Sequence, residues 1–429
     1  MNIIFVIIVL TAFCFAGWHQ IVFIAVQGTL SPMEALSKAM IESAGGAVEL
    51  AIGLVGVMAL FLGLMKVAEA GGMLRILARL IRPLMVKLFP EVPADHPAMG
   101  AMILNLAANL LGLGNAATPF GIRAMQELDK LNPRHGTATN AMALFLAINT
   151  SSVTLLPTGV IALRAAAGSS SPAAILPTTL FATIGSTTVA IIAAKLYQRL
   201  AVIRVDGGAV PKETCPDRVE KADAMEVPYE GYPLWVSLAA LGTLVALLPV
   251  AVLYGPAISP WIIPALMVGF LGFGLMRSIH VYEVFIEGAK DGFQVALRII
   301  PYLVAILVAV DMLRASGAMD AIVHTLGSAT ARFGLPAEAL PMALMRPLSG
   351  SGAYGILASI INDPAIGPDS YTGYLVSTLQ GSTETTFYVL AVYFGAVQVR
   401  RIRHTLAAAL TADAAGVVFA VLACSFFLR

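Results

Sequence analysis

Apolar runs long enough to cross a bilayer recur from one end of this 429-residue chain to the other. A helix rises 1.5 Å per residue, so about 20 apolar residues cover a hydrocarbon core of about 30 Å, and there every backbone N–H and C=O must find its partner inside protein. The candidate spans are 3–27, 47–68, 137–165, 173–201, 233–254, 260–277, 294–314, 372–399 and 404–428. With 58% hydrophobic and only 12% charged residues, against roughly 25% charged in a soluble domain, the expected fold class is an all-α polytopic membrane protein.

Two more apolar stretches, 97–122 and 336–361, are interrupted in the middle by Gly, Asn, Ser and Pro and read as re-entrant hairpins. The polar segment 203–232 divides the chain into membrane modules 1–202 and 233–429, and is expected to be a cytoplasmic linker. A formal net charge of +1 gives no sign of a nucleic-acid partner. Cys14, Cys215 and Cys424 suggest neither a disulfide nor a metal site, and no cofactor is expected. No Lys or Arg precedes the first apolar run, so it reads as a retained helix and not as a cleaved signal.

The two modules resemble each other. IESAGGAVEL (41–50) aligns with FIEGAKDGFQV (285–295), AGGML (70–74) with SGAM (316–319), FPEVPADHPAM (89–99) with FGLPAEALPM (333–342), and AINTSSVTLLP (147–157) with LQGSTETTFYV (379–389). Basic residues then orient the spans. Placing Arg75, Arg79, Arg82 and Lys87 inside also brings Arg123, Lys130, Arg134, Arg277, Arg400, Arg401 and Arg403 inside. Segments 166–172, 255–259 and 362–371 fall outside with no Lys or Arg, and Arg164, Arg314, Arg332 and Arg429 are exceptions. On this path the N-terminus is cytoplasmic, the C-terminus lies outside, and span 47–68 runs opposite to 294–314. The expectation is two inverted-topology repeats, each with a re-entrant hairpin and an interrupted transmembrane helix, a layout whose sites form at the bilayer midplane.

Polar residues cluster where spans break. NTSS (149–152) interrupts one module and GSTE (381–384) the other. Helices restarting after such breaks present free N–H groups suited to an anionic or polar ligand. The predicted substrate contacts are Asn105, Asn109, Asn115 and Thr118 in the first hairpin, Asn149, Ser151 and Ser152 at the first break, Arg346, Ser349 and Ser351 in the second hairpin, and Ser382, Thr383 and Glu384 at the second break. Intramembrane charges are costly, about 2.5–3.5 kcal/mol each on insertion scales. Arg346 is therefore expected to hold a substrate anion, and Glu384 to take up a proton or Na⁺ as coupling carboxylate, although the two would also serve as a structural ion pair. Asp413 lies within the last span with no partner apparent in sequence. Stretch 73–88, with Arg75, Arg79 and Arg82 at helical spacing, reads as an interfacial amphipathic helix. GSSSP (168–172) and SGSGAYG (349–355) lack the strand–turn–helix context of a nucleophile elbow or phosphate loop, so no enzyme is expected.

Longer motifs carry a family resemblance. Segments 63–121, with NLAANLLGLGNAATPFG, and 145–168, with FLAINTSSVTLLPTGV, resemble the spore maturation protein A family. Segments 285–320, with FIEGAKDGFQVALRIIPYLV, 340–355, with LPMALMRPLSGSGAYG, and 381–395, GSTETTFYVLAVYFG, resemble the spore maturation protein B family. The chain thus looks like a fusion of the two. The resemblance implies a place in the nucleoside recognition or Gate group, which includes concentrative nucleoside transporters and the membrane part of ferrous iron transporters, and an association with dehydration of the spore core. The expected function is a secondary transporter of a small polar or anionic metabolite, nucleoside-like by this analogy, working by alternating access in a bacterial inner membrane, with a homodimer as one expected assembly. A non-transporting scaffold or sensor and a passive channel are the alternatives.

Overall fold

A computed structural model describes residues 2–24, 30–112, 114–200, 231–319, 321, 325 and 330–427. The expected linker 203–232 lies almost wholly outside them. The described residues form helices and no strand; a lone bridge joins Thr137 and Arg401. The first module contains α1 (Asn2–Ile21), α2 (Pro32–Ala70), α3 (Met73–Leu88), α4 (Pro97–Leu110), α5 (Gly114–Lys130), α6 (Asn140–Thr150), α7 (Thr158–Ala166) and α8 (Leu176–Leu200). The second contains α9 (Leu234–Met276), α10 (Val281–Ala315), α11 (Leu340–Met345), α12 (Gly350–Ile361), α13 (Tyr371–Ser382), α14 (Thr386–Ala396) and α15 (Thr405–Phe427). Helices Pro32–Ala70, Pro172–Leu200 and Thr405–Phe427 are long and apolar enough to cross a membrane, and the protein is an all-helical membrane protein.

Two pairs of long helices, α2 with α10 and α8 with α15, pack in opposite directions. In the α2–α10 pair, Ser43 donates to Asp311 near one end, Ala59 lies against Gly292 in the middle, and Lys66 lies against Gly288 near the other end. Gly288 and Gly292, one turn apart, let the backbones approach: a Cβ on Gly292 would stand 2.6 Å from the Cα of Ala59. This small-residue seam suits a bilayer, where helix association depends on close packing because lipid is as apolar as the side chains. The α8–α15 pair is antiparallel too, with Gly185 against Phe419 and Tyr197 Oη 3.0 Å from Thr411 Oγ1.

The sequence predicted a loop at 255–259, whereas α9 is helical from Leu234 to Met276. Prolines and glycines that end soluble helices are tolerated in membrane helices. Yet α9 is not straight. Ser237 donates to the carbonyl of Leu80, and Gly71 sits against the Phe273 ring. A straight helix would hold Ser237 and Phe273 about 54 Å apart, whereas Gly71 and Leu80 both belong to the short α2–α3 connection and α3. The helix therefore folds back, and both its ends lie on one face of the bundle.

That face also carries the end of α8, where Lys195 reaches the carbonyl of Leu88, and the mutual contact of the 131–139 and 397–404 segments. In the latter, the amides of Arg400 and Arg401 donate to Gly136 O, Ala138 N–H donates to Arg401 O, and Arg403 reaches Ala138 O and Asn140. At the opposite face, the 167–172 and 362–371 segments meet through Arg164 and Asp369. Two of the exceptional arginines there are paired with carboxylates: Arg164 lies 2.9 Å from Asp369, and Arg314 lies 3.0 Å from Asp363.

Candidate functional site

Between these faces, two helices stop and restart. Thr139 caps α6 by accepting the amide of Met142, and α6 then runs for 11 buried or nearly buried residues before its helical bonding ends at Thr150. Ser370 caps α13 from the other face through the amide of Gly373, and α13 ends at Ser382 after 12 residues. Each is about 17 Å long, half a hydrocarbon core. Their broken ends meet: the amide of Glu384 donates to the carbonyl of Thr150 at 2.9 Å. A carbonyl left over at one helix end is satisfied by an amide freed in the other break.

The expected breaks are present but unequal. The first extends beyond NTSS to Pro157, and α7 restarts at Thr158; the second spans only residues 383–385 before α14 begins. Each break leans on a helix–turn–helix pair of its own module. Leu155 N–H donates to Leu110 O, and Gly112, at φ +78, approaches the carbonyl of Leu156 so closely that any Cβ would collide with it. Phe387 N–H donates to Pro347 O, and Gly350 leaves room for the Thr385 hydroxyl.

The predicted contact residues fall into distinct groups. Asn109 donates to the Asn149 side chain at 3.0 Å, joining hairpin to break. Asn105, on the same face of α4, instead binds Ala117 O and the Tyr393 hydroxyl, bridging to the second module. Arg346 is 6% exposed and lies 3.7 Å from Glu384, an ion-pair distance too long for a hydrogen bond; its Nη1 donates to Thr385 Oγ1 at 3.1 Å. Glu384 is half-exposed. Ser349 caps α12 through the amide of Gly352 and lies 3.4 Å from Ser351. The hydroxyls of Ser151, Ser382 and Thr383 turn back onto carbonyls of their own helices, Ala147 and Leu379. Thr118 lies beside the first hairpin tip, half-buried, and the Asn115 side chain is outside the described residues.

Sequence reasoning left several neighbours out of the site. Asp413 of α15, 5% exposed, accepts from Thr386 Oγ1 at 2.7 Å. Its partner is distant in sequence; the available signal was an ionisable residue in an apolar helix, which is by default a functional candidate. Gln380, Thr385 and Tyr393 complete the surroundings. Seven buried side-chain polar atoms among the described residues have no hydrogen-bond partner: Ser152 Oγ, Thr179 Oγ1, Arg346 Nε, Gln380 Oε1 and Asp413 Oδ1, together with Asn105 Oδ1 on α4 and His404 Nδ1 just before α15. The first five belong to or adjoin the two breaks. Buried polar groups are normally paired because an orphan costs about 1–3 kcal/mol, so these atoms are the polar groups at the breaks with bonding capacity left over.

The nucleoside recognition (Gate) family matches residues 51–167 and 296–400, which hold both hairpins and both breaks. Spore maturation protein B of Bacillus subtilis (strain 168) is 46% identical over 160 residues, 37% of this chain and 89% of that protein. Spore maturation protein A of the same organism is 46% identical over 172 residues, 40% of this chain and 86% of that protein. Inner membrane protein YjiG of Escherichia coli (strain K12) is 33% identical over 101 residues, 23% of this chain and 63% of its own length. No solved structure matches. The chain belongs to the Gate, or nucleoside recognition, family, and joins in one polypeptide a relative of spore maturation protein A and a relative of spore maturation protein B.

Proposed function

We propose that this protein is a secondary transporter of a small polar or anionic metabolite, nucleoside-like in its polar edge, and that it works by alternating access across a bacterial inner membrane. The observation that carries the reading is the meeting of the two broken helices at Thr150 and Glu384, with unpaired buried polar atoms gathered around it at half the depth of the bundle. Broken helices in a bilayer persist where they line a cavity or meet protein, and in carriers they frame the substrate.

Two inverted repeats, each with a re-entrant hairpin and an interrupted helix, make up the proposed architecture. Its support is the antiparallel packing of α2 with α10 and of α8 with α15, together with four sequence blocks in the same order. The cytoplasmic face is the one bearing α3, Arg277 and Arg400–Arg403, where basic residues collect; the arginines Arg164 and Arg314 on the other face are paired with aspartates. The inner-membrane location rests on the likeness to inner membrane protein YjiG of Escherichia coli. In this scheme Arg346 faces the anionic or electron-rich edge of the solute, Asn109 and Asn149 supply directional contacts, and Glu384 lies at the open edge of the site.

A thermal-shift screen of the purified full chain against nucleosides, nucleobases, nucleotides, small carboxylates and divalent metals tests the reading. The expected result is saturable stabilisation by one chemical class, lost in Arg346→Met and Glu384→Gln, followed by saturable uptake of that class into proteoliposomes. Absence of any ligand response, with both variants folded, would favour a scaffold; non-saturable flux would favour a channel. The many bonds that already join the modules, among them Asn105–Tyr393 and Arg164–Asp369, are what a scaffold would need as well.

A further inference from the structure

The charges around the breaks do not balance. Arg346 is one buried cation; Glu384 lies 3.7 Å away, and Asp413 is a second carboxylate close by, bonded to Thr386 next to the Thr385 hydroxyl that Arg346 holds. The two acids have different surroundings. Glu384 is half-exposed beside the arginine, where water stabilises its charge. Asp413 is 5% exposed, its Oδ2 takes one hydrogen bond from Thr386, and its Oδ1 has no partner among the described residues. With both acids ionised the three groups carry a net negative charge, and the carboxylate that water does not reach is Asp413, whose ionised form a low-dielectric interior strongly disfavours.

The helices packed on α15 supply nothing to cancel it. Those helices are α6, α8, α13 and α14. From α6 come Asn149 and hydroxyls. From α8 comes Tyr197, which bonds Thr411; the cations of α8, Lys195 and Arg199, lie at its far end, where Lys195 bonds the carbonyl of Leu88. From α13 comes Gln380, its Tyr371 and Tyr374 being engaged with Ser425 and Arg164 at the opposite end. From α14 come Thr386, the exposed Tyr388, and Tyr393, which bonds Asn105. On α15's own chain, His404 lies at its start and Cys424 bonds Thr378 near its end.

We propose that Asp413, not Glu384, is the coupling carboxylate: it takes up one proton per cycle on Oδ1, which brings the Arg346–Glu384–Asp413 group to neutrality, and releases it when the site reopens. Coupling rests on the carrier reading above, but proton binding at Asp413 is measurable without any solute. Deprotonation would leave Asp413 and Glu384 competing for Arg346, and so would alter the charge presented to a solute at the breaks.

Infrared titration of the full purified chain tests this through the C=O stretch of a protonated carboxylic acid. The expected result is a band that fades as pH rises, is absent in Asp413→Asn and persists in Glu384→Gln. Thr386→Val removes the donor that favours the ionised form and is expected to move the midpoint up by roughly one pH unit; it serves as the independent test should Asp413→Asn fail to fold. Identical wild-type and Asp413→Asn spectra, a band that does not titrate, or an unmoved midpoint in Thr386→Val would overturn the proposal. Stabilisation by Na⁺ that Asp413→Asn loses, without a titrating band, would overturn it in favour of a sodium site. A titrating Asp413 in a protein that answers to no solute would instead sink the carrier reading and leave the proton site standing.

Discussion

The amide of Glu384 and the carbonyl of Thr150, 2.9 Å apart, join the two helix breaks backbone to backbone. Because this contact uses no side chain, it does not depend on which side chain stands at either residue. The Glu384 carboxylate is half-exposed and at 3.7 Å from the Arg346 guanidinium makes a weak pair. Glu384→Gln is therefore expected to cost about 1 kcal/mol or less of stability. Arg346→Met is expected to cost more, because Thr385 loses its donor and Asp413 loses a nearby cation. Thermal unfolding in detergent without added ligand checks the order; a larger loss for Glu384→Gln would make that residue a structural pillar of the break.

The α2–α10 seam predicts a second result. A Cβ at Gly292 would stand 2.6 Å from Ala59 Cα and 2.7 Å from Met58 O, both backbone atoms that cannot swing aside. Gly292→Val is expected to cost about 1–3 kcal/mol as the helices separate. Gly56→Ala on α2, which has nothing within 4 Å of the added carbon, is expected to be neutral or to stabilise slightly. Equal thermal midpoints for the two variants would show that the modules do not depend on this seam.

Arg164 provides a third. It is fully buried and holds the 362–371 segment through Pro368 O at 2.6 Å, Asp369 at 2.9 Å and Ser377 at 3.3 Å, with the Tyr374 ring 4.3 Å away. Arg164→Met frees all these partners at once and is expected to destabilise by about 3 kcal/mol. Asp369→Asn keeps the serine contacts in reach of an amide and is expected to cost less. Limited proteolysis within 362–371 provides a local readout: cleavage that is no faster in Arg164→Met than in wild type would contradict this tie.

The parts of this arrangement that were legible in the sequence are those a local pattern encodes. Gly, Asn, Ser and Pro inside apolar runs announce breaks at 149–152 and 381–384, because hydrocarbon punishes unpaired backbone wherever it occurs. Pairing between residues distant in sequence, by 27 positions in one case and 288 in another, leaves no such mark. Nothing in TADAAG points to Thr386, and nothing near Asn105 points to Tyr393, although both bonds are set by the packing of α4, α14 and α15. The hydroxyls of Ser151, Ser382 and Thr383 have the right chemistry for a ligand, yet in this structure they bond the last carbonyls of their own helices, a competition that residue type alone does not reveal. The reversal of α9 was legible in the sequence as a loop between the spans 233–254 and 260–277.

The last prediction concerns acid. Burial by itself would raise the Asp369 carboxyl, but hydrogen bonds from the Ser169 hydroxyl and from the Ser170 amide and hydroxyl, with the charge of Arg164, outweigh it and hold the group below the ordinary carboxylate range. A carboxyl depressed in the folded state contributes stability that is present above its unfolded value, near pH 4, and is lost as pH falls through the folded value. The contact of the 167–172 and 362–371 segments should therefore loosen only in strong acid. The contact of 131–139 with 397–404 on the opposite face is made by backbone bonds at Gly136, Ala138 and Arg401 and by Arg403, and the nearby Asp129 carboxylate braces the 131–139 segment through Asn132 and His135 without joining the contact itself. Hydrogen exchange followed from pH 6 to pH 3 is expected to show protection falling first around Ser169–Ser171 and Asp369, with Ala138 and Arg401 retained. Asp369→Asn should remove that acid dependence, since an amide does not titrate. Simultaneous loss of protection on both faces would mean that acid acts on the whole bundle and that the Asp369 network is not its first point of failure.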